Sequence, residues 1–156
     1  MRKLVKVVCD RRMAVEVCLP SNLGTGIINR LEDHAMVKML RHGVGVTINT
    51  DNRLVSDTNM SLELLKAVQA FHLSPKQLRE IVINGFKRSF FSGPYRKKRK
   101  FIRAAMDYYD RLAREYNLDA LYAQWCADNG VDQVPTSPSA RARIDSVFSE
   151  TDETLN

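Results

Sequence analysis

Two valine-rich runs limit how this chain can fold. Met13–Cys18 (MAVEVC) and Val44–Asn49 (VGVTIN) each have the composition and length of a strand, and about one helix plus its loops lies between them. Strands spaced in this way pair through a crossover helix, which makes them parallel. The second run is nearly continuous in β-branched residues, as in a strand covered on both faces. Two parallel strands alone can neither bury both faces nor satisfy both edges. The pattern therefore predicts part of a larger α/β sheet or barrel. Alone, the chain is expected to pack poorly and to aggregate or seek a partner.

Helical signals surround these runs. Lys3–Arg12 places Leu4, Val7, Val8 and Arg11 on one face. Leu19–Leu31 carries Pro20, Ser21, Asn22, Gly24, Thr25 and Gly26 and reads as a long loop. Asp33 suits the N-cap of a helix through Met36, Val37, Leu40 and Arg41, with Gly43 at C′. A polar loop is expected after Asp51-Asn52 as far as Asn59, then a helix over 61–71 with Leu64, Leu65, Val68 and Phe71 inward. Ser74-Pro75-Lys76-Gln77 predicts a capping box, opening a helix to Phe90 that buries Leu78, Ile81, Val82, Phe86 and Phe90. Gly93-Pro94 breaks the chain before a helix over 95–116, in which Phe101, Tyr108 and Tyr109 form the buried side. A short helix to Cys126 follows, with Leu121, Tyr122 and Trp125 as its docking face. The expected division is 1–93 for the α/β part, 94–128 for a helical extension and 129–156 for a disordered tail rich in Pro, Ser, Thr, Asp and Glu.

The 156 residues suffice for one domain, and 44% hydrophobic with 27% charged residues is a globular composition. No window resembles a membrane span or a secretory signal, and three separated cysteines without a C-x-x-C fit reduced thiols. Cytoplasm is the expected compartment. The net charge of +6 permits a polyanionic partner, but the excess is concentrated in Arg96-Lys97-Lys98-Arg99-Lys100. There it opposes the helix dipole, and no recognised binding motif accompanies it. A solvated surface is the favoured reading, with binding of nucleic acid or a protein partner by a non-catalytic product as the alternative.

Functional groups in parallel α/β proteins collect on the loops after strand carboxyl ends, which here means Asp51-Asn52 and Pro20-Ser21-Asn22. Asp51 there can ligate a metal, or it can cap the next turn, because Thr-Asp-Asn is ordinary turn chemistry. Spacing alone favours the turn. Cys18 lacks a basic neighbour and reads as packing rather than a nucleophile. Ser21 and Asn22 can line a pocket, though polar residues there more often hold their own loop's backbone.

Val15-Glu16-Val17-Cys18-Leu19-Pro20-Ser21-Asn22 resembles the E-V-C-P-x-S-N segment of the adenosine deaminase family, with Leu19 at the pattern's proline position. Val46-Thr47-Ile48-Asn49-Thr50-Asp51-Asn52 resembles its V-x-I-N-T-D-D segment, and His34 and His42-Gly43-Val44 match the linking helix. Phe71-His72-Leu73-Ser74 and Asn84-Gly85-Phe86-Lys87-Arg88-Ser89-Phe90 are similar to its F-G-L-S and N-x-x-x-x-S-F stretches. The similarity runs from about residue 3 to residue 91.

The resemblance implies the carboxyl-terminal part of a (β/α)8 barrel that hydrolyses the 6-amino group of adenosine or a related purine, giving an inosine-type product and ammonia. It implies a zinc ion held by three histidines and one aspartate, with Asp51 as that aspartate, which reverses the preference for a turn. Asn52 stands where the family usually has a second aspartate against the purine ring. Its amide can donate to a ring nitrogen but cannot carry a proton. The family's H-x-H, H-A-G-E and R-x-G-H-G motifs are absent, and His34, His42 and His72 match none of those ligands. A catalytic zinc needs about three protein ligands. The chain is therefore expected to be a truncated or split product that is inactive alone, completed as an enzyme on a purine nucleoside by the missing part of the barrel.

Overall fold

The computed structural model describes residues 2–132, so most of the expected disordered tail lies outside the described residues. Helix α1 (Arg2–Asp10) leads into strand β1 (Ala14–Val17), and strand β2 (Gly45–Ile48) pairs with it in parallel, Ala14 against Gly45 and Val17 against Ile48. Between them lie α2 (Leu19–Gly24), a 3-10 turn (Leu31–Asp33) and α3 (Met36–Arg41). The rest is helical: α4 (Arg53–Ser56), α5 (Met60–Phe71), α6 (Pro75–Arg88), α7 (Tyr95–Glu115) and α8 (Leu118–Asn129). This is a partial α/β arrangement, mostly helical, with a two-stranded parallel sheet among the described residues.

β2 is the centre of the packing. Val46, Thr47 and Ile48 are all buried, as expected of a strand covered on both faces, and α3, α5 and α6 lie against it. With Val17, Leu19, Met36, Ala67, Leu73 and Ile81, Val46 and Ile48 form the core cluster. Asn84 of α6 ties helix to strand by donating from Nδ2 to Val46 O at 3.4 Å.

Local signals behave as their chemistry requires. Gly43 has φ +72°, and the Gly43 N–H to Leu40 O and Val44 N–H to Met39 O bonds close α3 in a Schellman arrangement. Ser74 Oγ accepts from Gln77 N–H while Gln77 Oε1 accepts from Ser74 N–H at 2.9 Å, completing the capping box of α6. Ser74→Ala is expected to lower stability by about 1 kcal/mol in urea melts, because Gln77 N–H loses its acceptor.

Several expectations are corrected. The 19–31 segment is not all loop: α2 forms in it, with Pro20 in the first helical turn, where its missing N–H has no intrahelical partner to lose. Asp33 does not cap α3 but sits in the 3-10 turn, and the His34 ring takes over by accepting from Met36 N–H at 3.0 Å. The expected loop to Asn59 contains the single turn α4. Leu65 is 50% exposed, and Glu63 and Ala67 take the most buried positions of α5 instead. Leu4, Val7, Phe90, Tyr108 and Leu121 are exposed and Phe101 partly so, leaving Phe86 to meet Phe101 edge-on and Phe91 to meet it at a tilt at the α6–α7 junction. The α7 helix is held to α6 by the paired Arg79–Asp110 bonds at 2.6 and 2.8 Å. No described helix is long and apolar enough to cross a membrane.

Candidate functional site

The parallel register brings both strand carboxyl ends to one edge of the sheet. Beyond the last pair, Asn49 N–H donates to Val17 O at 2.8 Å, so the two following loops emerge side by side. They meet where Ser21 Oγ donates to Asp51 Oδ2 at 2.8 Å, across 30 residues of sequence. Asp51 is exposed and adopts φ +51°, a left-handed conformation that aspartate tolerates better than most residues. Its Oδ1 has no hydrogen bond among the described residues. The carboxylate is therefore held through one oxygen and offers the other outward.

Asn52 performs the turn chemistry that the sequence suggested for Asp51. Its Oδ1 accepts from Leu54 N–H at 3.2 Å and Val55 N–H at 3.3 Å, capping α4. With the carbonyl committed to the cap, the amide N–H groups are what Asn52 has left to give a ligand.

Ser21 and Asn22 reach across the fold instead of bonding their own loop. Asn22 Nδ2 lies 2.9 Å from His34 Nε2, and His34 Nδ1 accepts from Met36 N–H. With Nδ1 accepting, the neutral ring carries its proton on Nε2, so Asn22 must turn its amide oxygen to it. Protonating Nδ1 would set donor against donor. His34 is buried, and burial lowers its pKa from the ordinary 6.5. The unfolded chain then binds more protons than the folded one as pH falls below about 6.5. Stability is expected to hold above that pH and to decline as pH falls through the lower folded-state value. Urea midpoints at pH 7.5 and 5.5 check this, and His34→Gln should remove the step.

Cys18 lies beside this loop. Burial raises its thiol pKa, and the carboxylates of Asp51, Glu63 and Glu16 push it further up, so it is a protonated packing residue. Sequence reasoning missed Glu63, which is fully buried on α5 and accepts at Oε2 from Leu19 N–H at 3.2 Å. The signal was its spacing: it lies four residues before Ala67 on the helix's inner stripe.

Among the described residues no three His, Cys, Asp or Glu side chains gather into a metal-holding group. Asp51 offers one hard oxygen of the kind zinc accepts. The histidines are engaged elsewhere: His34 with Asn22 and Met36, His42 through Nδ1 to Lys38 O, and His72 against the Trp125 ring. The described residues thus fit as one ligand of a zinc site and do not form the rest of it.

The family model for adenosine deaminase matches residues 2–108, which carries the likeness beyond the motifs and well into α7. The chain is 40% identical over 94 residues to an adenosine deaminase of Mycolicibacterium gilvum (strain PYR-GCK), covering 60% of this chain and 26% of that protein. It is 38% identical over 90 residues to one of Mycolicibacterium vanbaalenii, covering 58% and 25%, and 40% over 88 residues to one of Mycobacterium sp. (strain KMS), covering 56% and 24%. It spans about a quarter of the length of these curated relatives. Both strands, the Ser21–Asp51 pair and the His34 interlock all fall within the matched region, and the chain belongs to the adenosine deaminase family.

Proposed function

We propose that residues 1–93 form the carboxyl-terminal part of a (β/α)8 barrel that deaminates adenosine or a related purine, with 94–128 as an appended helical extension. Asp51 is its aspartate ligand to zinc, and Asn52 orients the purine. The observation that carries this reading is the Asp51 carboxylate at the carboxyl end of β2, held at Oδ2 by Ser21 and open at Oδ1. When bound, zinc supplies an activated water near neutral pH. Ser21 keeps the carboxylate turned outward, and the Asn52 amide donates to a ring nitrogen without moving a proton.

The same reading makes the isolated chain inactive, since a single carboxylate does not hold a catalytic zinc. It also gives the exposed Leu54, Val55 and Phe90 and the open sheet edges a role as surfaces that the rest of a barrel covers. The free thiols of Cys9, Cys18 and Cys126 support a cytoplasmic setting, and a role in purine metabolism follows from the deamination proposed above. The test is to join the chain to a segment bearing H-x-H and H-A-G-E and follow conversion of adenosine to inosine. The joined protein should turn over and the 156-residue chain should not. Turnover by the chain alone, or none by a folded joined protein, contradicts the reading.

A second reading is favoured by α7. Arg96, Arg99, Lys100 and Arg103 follow i, i+3, i+4, i+7 spacing and line one shallow concavity. Arg103 pairs with Asp107 at 3.1 Å, while the other three have no anionic partner among the described residues. This stripe suits a nucleic-acid backbone, and it would act independently of any deaminase site. Lys98 is not part of it, being bonded to Ser89 O at 2.9 Å. Binding of a labelled single-stranded RNA should weaken with salt at a log–log slope of about −2 to −3. Arg99→Glu with Lys100→Glu should abolish it, whereas Lys87→Glu with Arg88→Glu, the same charge change on α6, should not. Equal losses in both pairs would show diffuse attraction and remove this reading.

A further inference from the structure

We propose that Glu63 is a positioning residue for the Asp51 site, its buried carboxylate fixing the first amide of α2 and, through that turn, the Ser21 hydroxyl on Asp51. The value of this arrangement to catalysis rests on the zinc reading of Asp51, but the geometry itself does not.

Three observations combine. First, α2 is a six-residue turn whose N-cap, Cys18, makes no side-chain capping bond, so its leading amides need an outside acceptor. Leu19 is itself fully buried, which keeps water from serving. Glu63 Oε2 reaches it at 3.2 Å from a helix 44 residues away. Second, the same short turn carries Ser21, which holds Asp51, and Asn22, which meets His34. The turn is thus pinned at its start by α5, in its middle by the Asp51 loop and next to that by α3's entry. Third, a buried carboxylate is a costly way to fill a core position, and packing alone would be better served by an apolar side chain. Glu63 is also incompletely satisfied. Oε1 has no hydrogen-bond partner, and the Thr58 hydroxyl lies beside the carboxylate without closing a well-formed bond to it. Its position in the first turn of α5 lets the helix dipole offset part of that cost. What the position provides is an acceptor oxygen for one buried amide that has no other partner among the described residues.

The test uses amide hydrogen exchange and the Asp51 side-chain carboxyl ¹³C resonance in the 156-residue chain. In Glu63→Ala, Leu19 should exchange at least about tenfold faster relative to the core amide of Ile81, as expected for a buried donor left unpaired. The Asp51 resonance should move toward its position in Ser21→Ala. Glu63→Gln keeps an acceptor oxygen and should hold both readouts near the parent. Ala67→Gly, which loosens α5 without removing the acceptor, should change Leu19 and Ile81 exchange together. If Glu63→Ala does not fold, Glu63→Asp carries the test: its shorter reach should move both readouts in the same direction. An unchanged Leu19-to-Ile81 ratio, or an unmoved Asp51 resonance, in the folded variant overturns the proposal. Zinc enters none of these measurements, so failure of the metal reading and failure of this one are separable.

Discussion

Ile81→Ala is expected to remove about 2–5 kcal/mol of folding free energy, the range for truncating a buried isoleucine to alanine. Ile81 is 1% exposed and stands on α6 where that helix covers β2, within the one core cluster of the described residues. Domains of ordinary size hold only about 5–15 kcal/mol in total. A core built on two four-residue strands has little in reserve, so the variant should melt at much lower urea or be unfolded in buffer. Leu65→Ala separates this from generic loss of apolar bulk. The sequence pattern places Leu65 inward, but it is 50% exposed, and its truncation should cost under about 1 kcal/mol. Comparable losses in the two variants would place the core elsewhere.

The difference between those two leucine-like positions shows where the sequence was legible. The strands were readable because β-branched residues at Val15, Val17, Val46, Thr47 and Ile48 suit a pleated, buried surface. The α3 C-terminus and the α6 N-terminus were readable because a C′ glycine and a Ser-Pro-x-Gln box act within a few residues of themselves. What failed was decided at longer range. The α2 turn contains helix-breaking residues and forms where Glu63 and the strand ends supply partners that no local window contains. Asp33 had the right chemistry for a cap, but the His34 ring reached the α3 amide first. On α5, counting only large apolar residues turned the predicted face toward Leu65. The true stripe runs through Glu63, Leu64, Ala67, Val68 and Phe71, an acid and an alanine included.

The site divides in the same way. Its place after a strand made Asp51 a candidate, although spacing alone favoured a turn, and only the surrounding motif turned the reading toward a metal ligand. The Ser21–Asp51 bond was not identifiable, because it depends on the register that sets Val17 against Ile48. The capping role fell to Asn52 because its side-chain carbonyl, two and three residues before the free amides of α4, is the one within reach. That assignment matters for the purine reading: a carboxylate in its place could also accept those amides, but only the asparagine keeps N–H donors to spare. Asn52→Asp should therefore keep the α4 cap while reversing what position 52 offers a ring nitrogen.

Asp51→Ala has the larger functional consequence. On the proposed reading it removes a zinc ligand from the chain joined to a histidine-bearing segment, so the loss of metal and of turnover should exceed the roughly 10–100-fold that follows loss of a group merely supporting a ligand. Ser21→Ala, which leaves the carboxylate present but unheld, should fall within that smaller range. Asn52→Ala should keep the metal, raise KM and uncap α4 at a cost of about 1 kcal/mol. The ordering of the three variants separates ligation from orientation and from substrate contact.

Zinc content of the joined protein, measured beside its Asp51→Ala variant on folded, monodisperse samples, tests the central claim most directly. A single bound zinc in the parent and none in the variant is the expected result. A variant that retains its zinc and deaminates adenosine at the parent rate contradicts the assignment of Asp51.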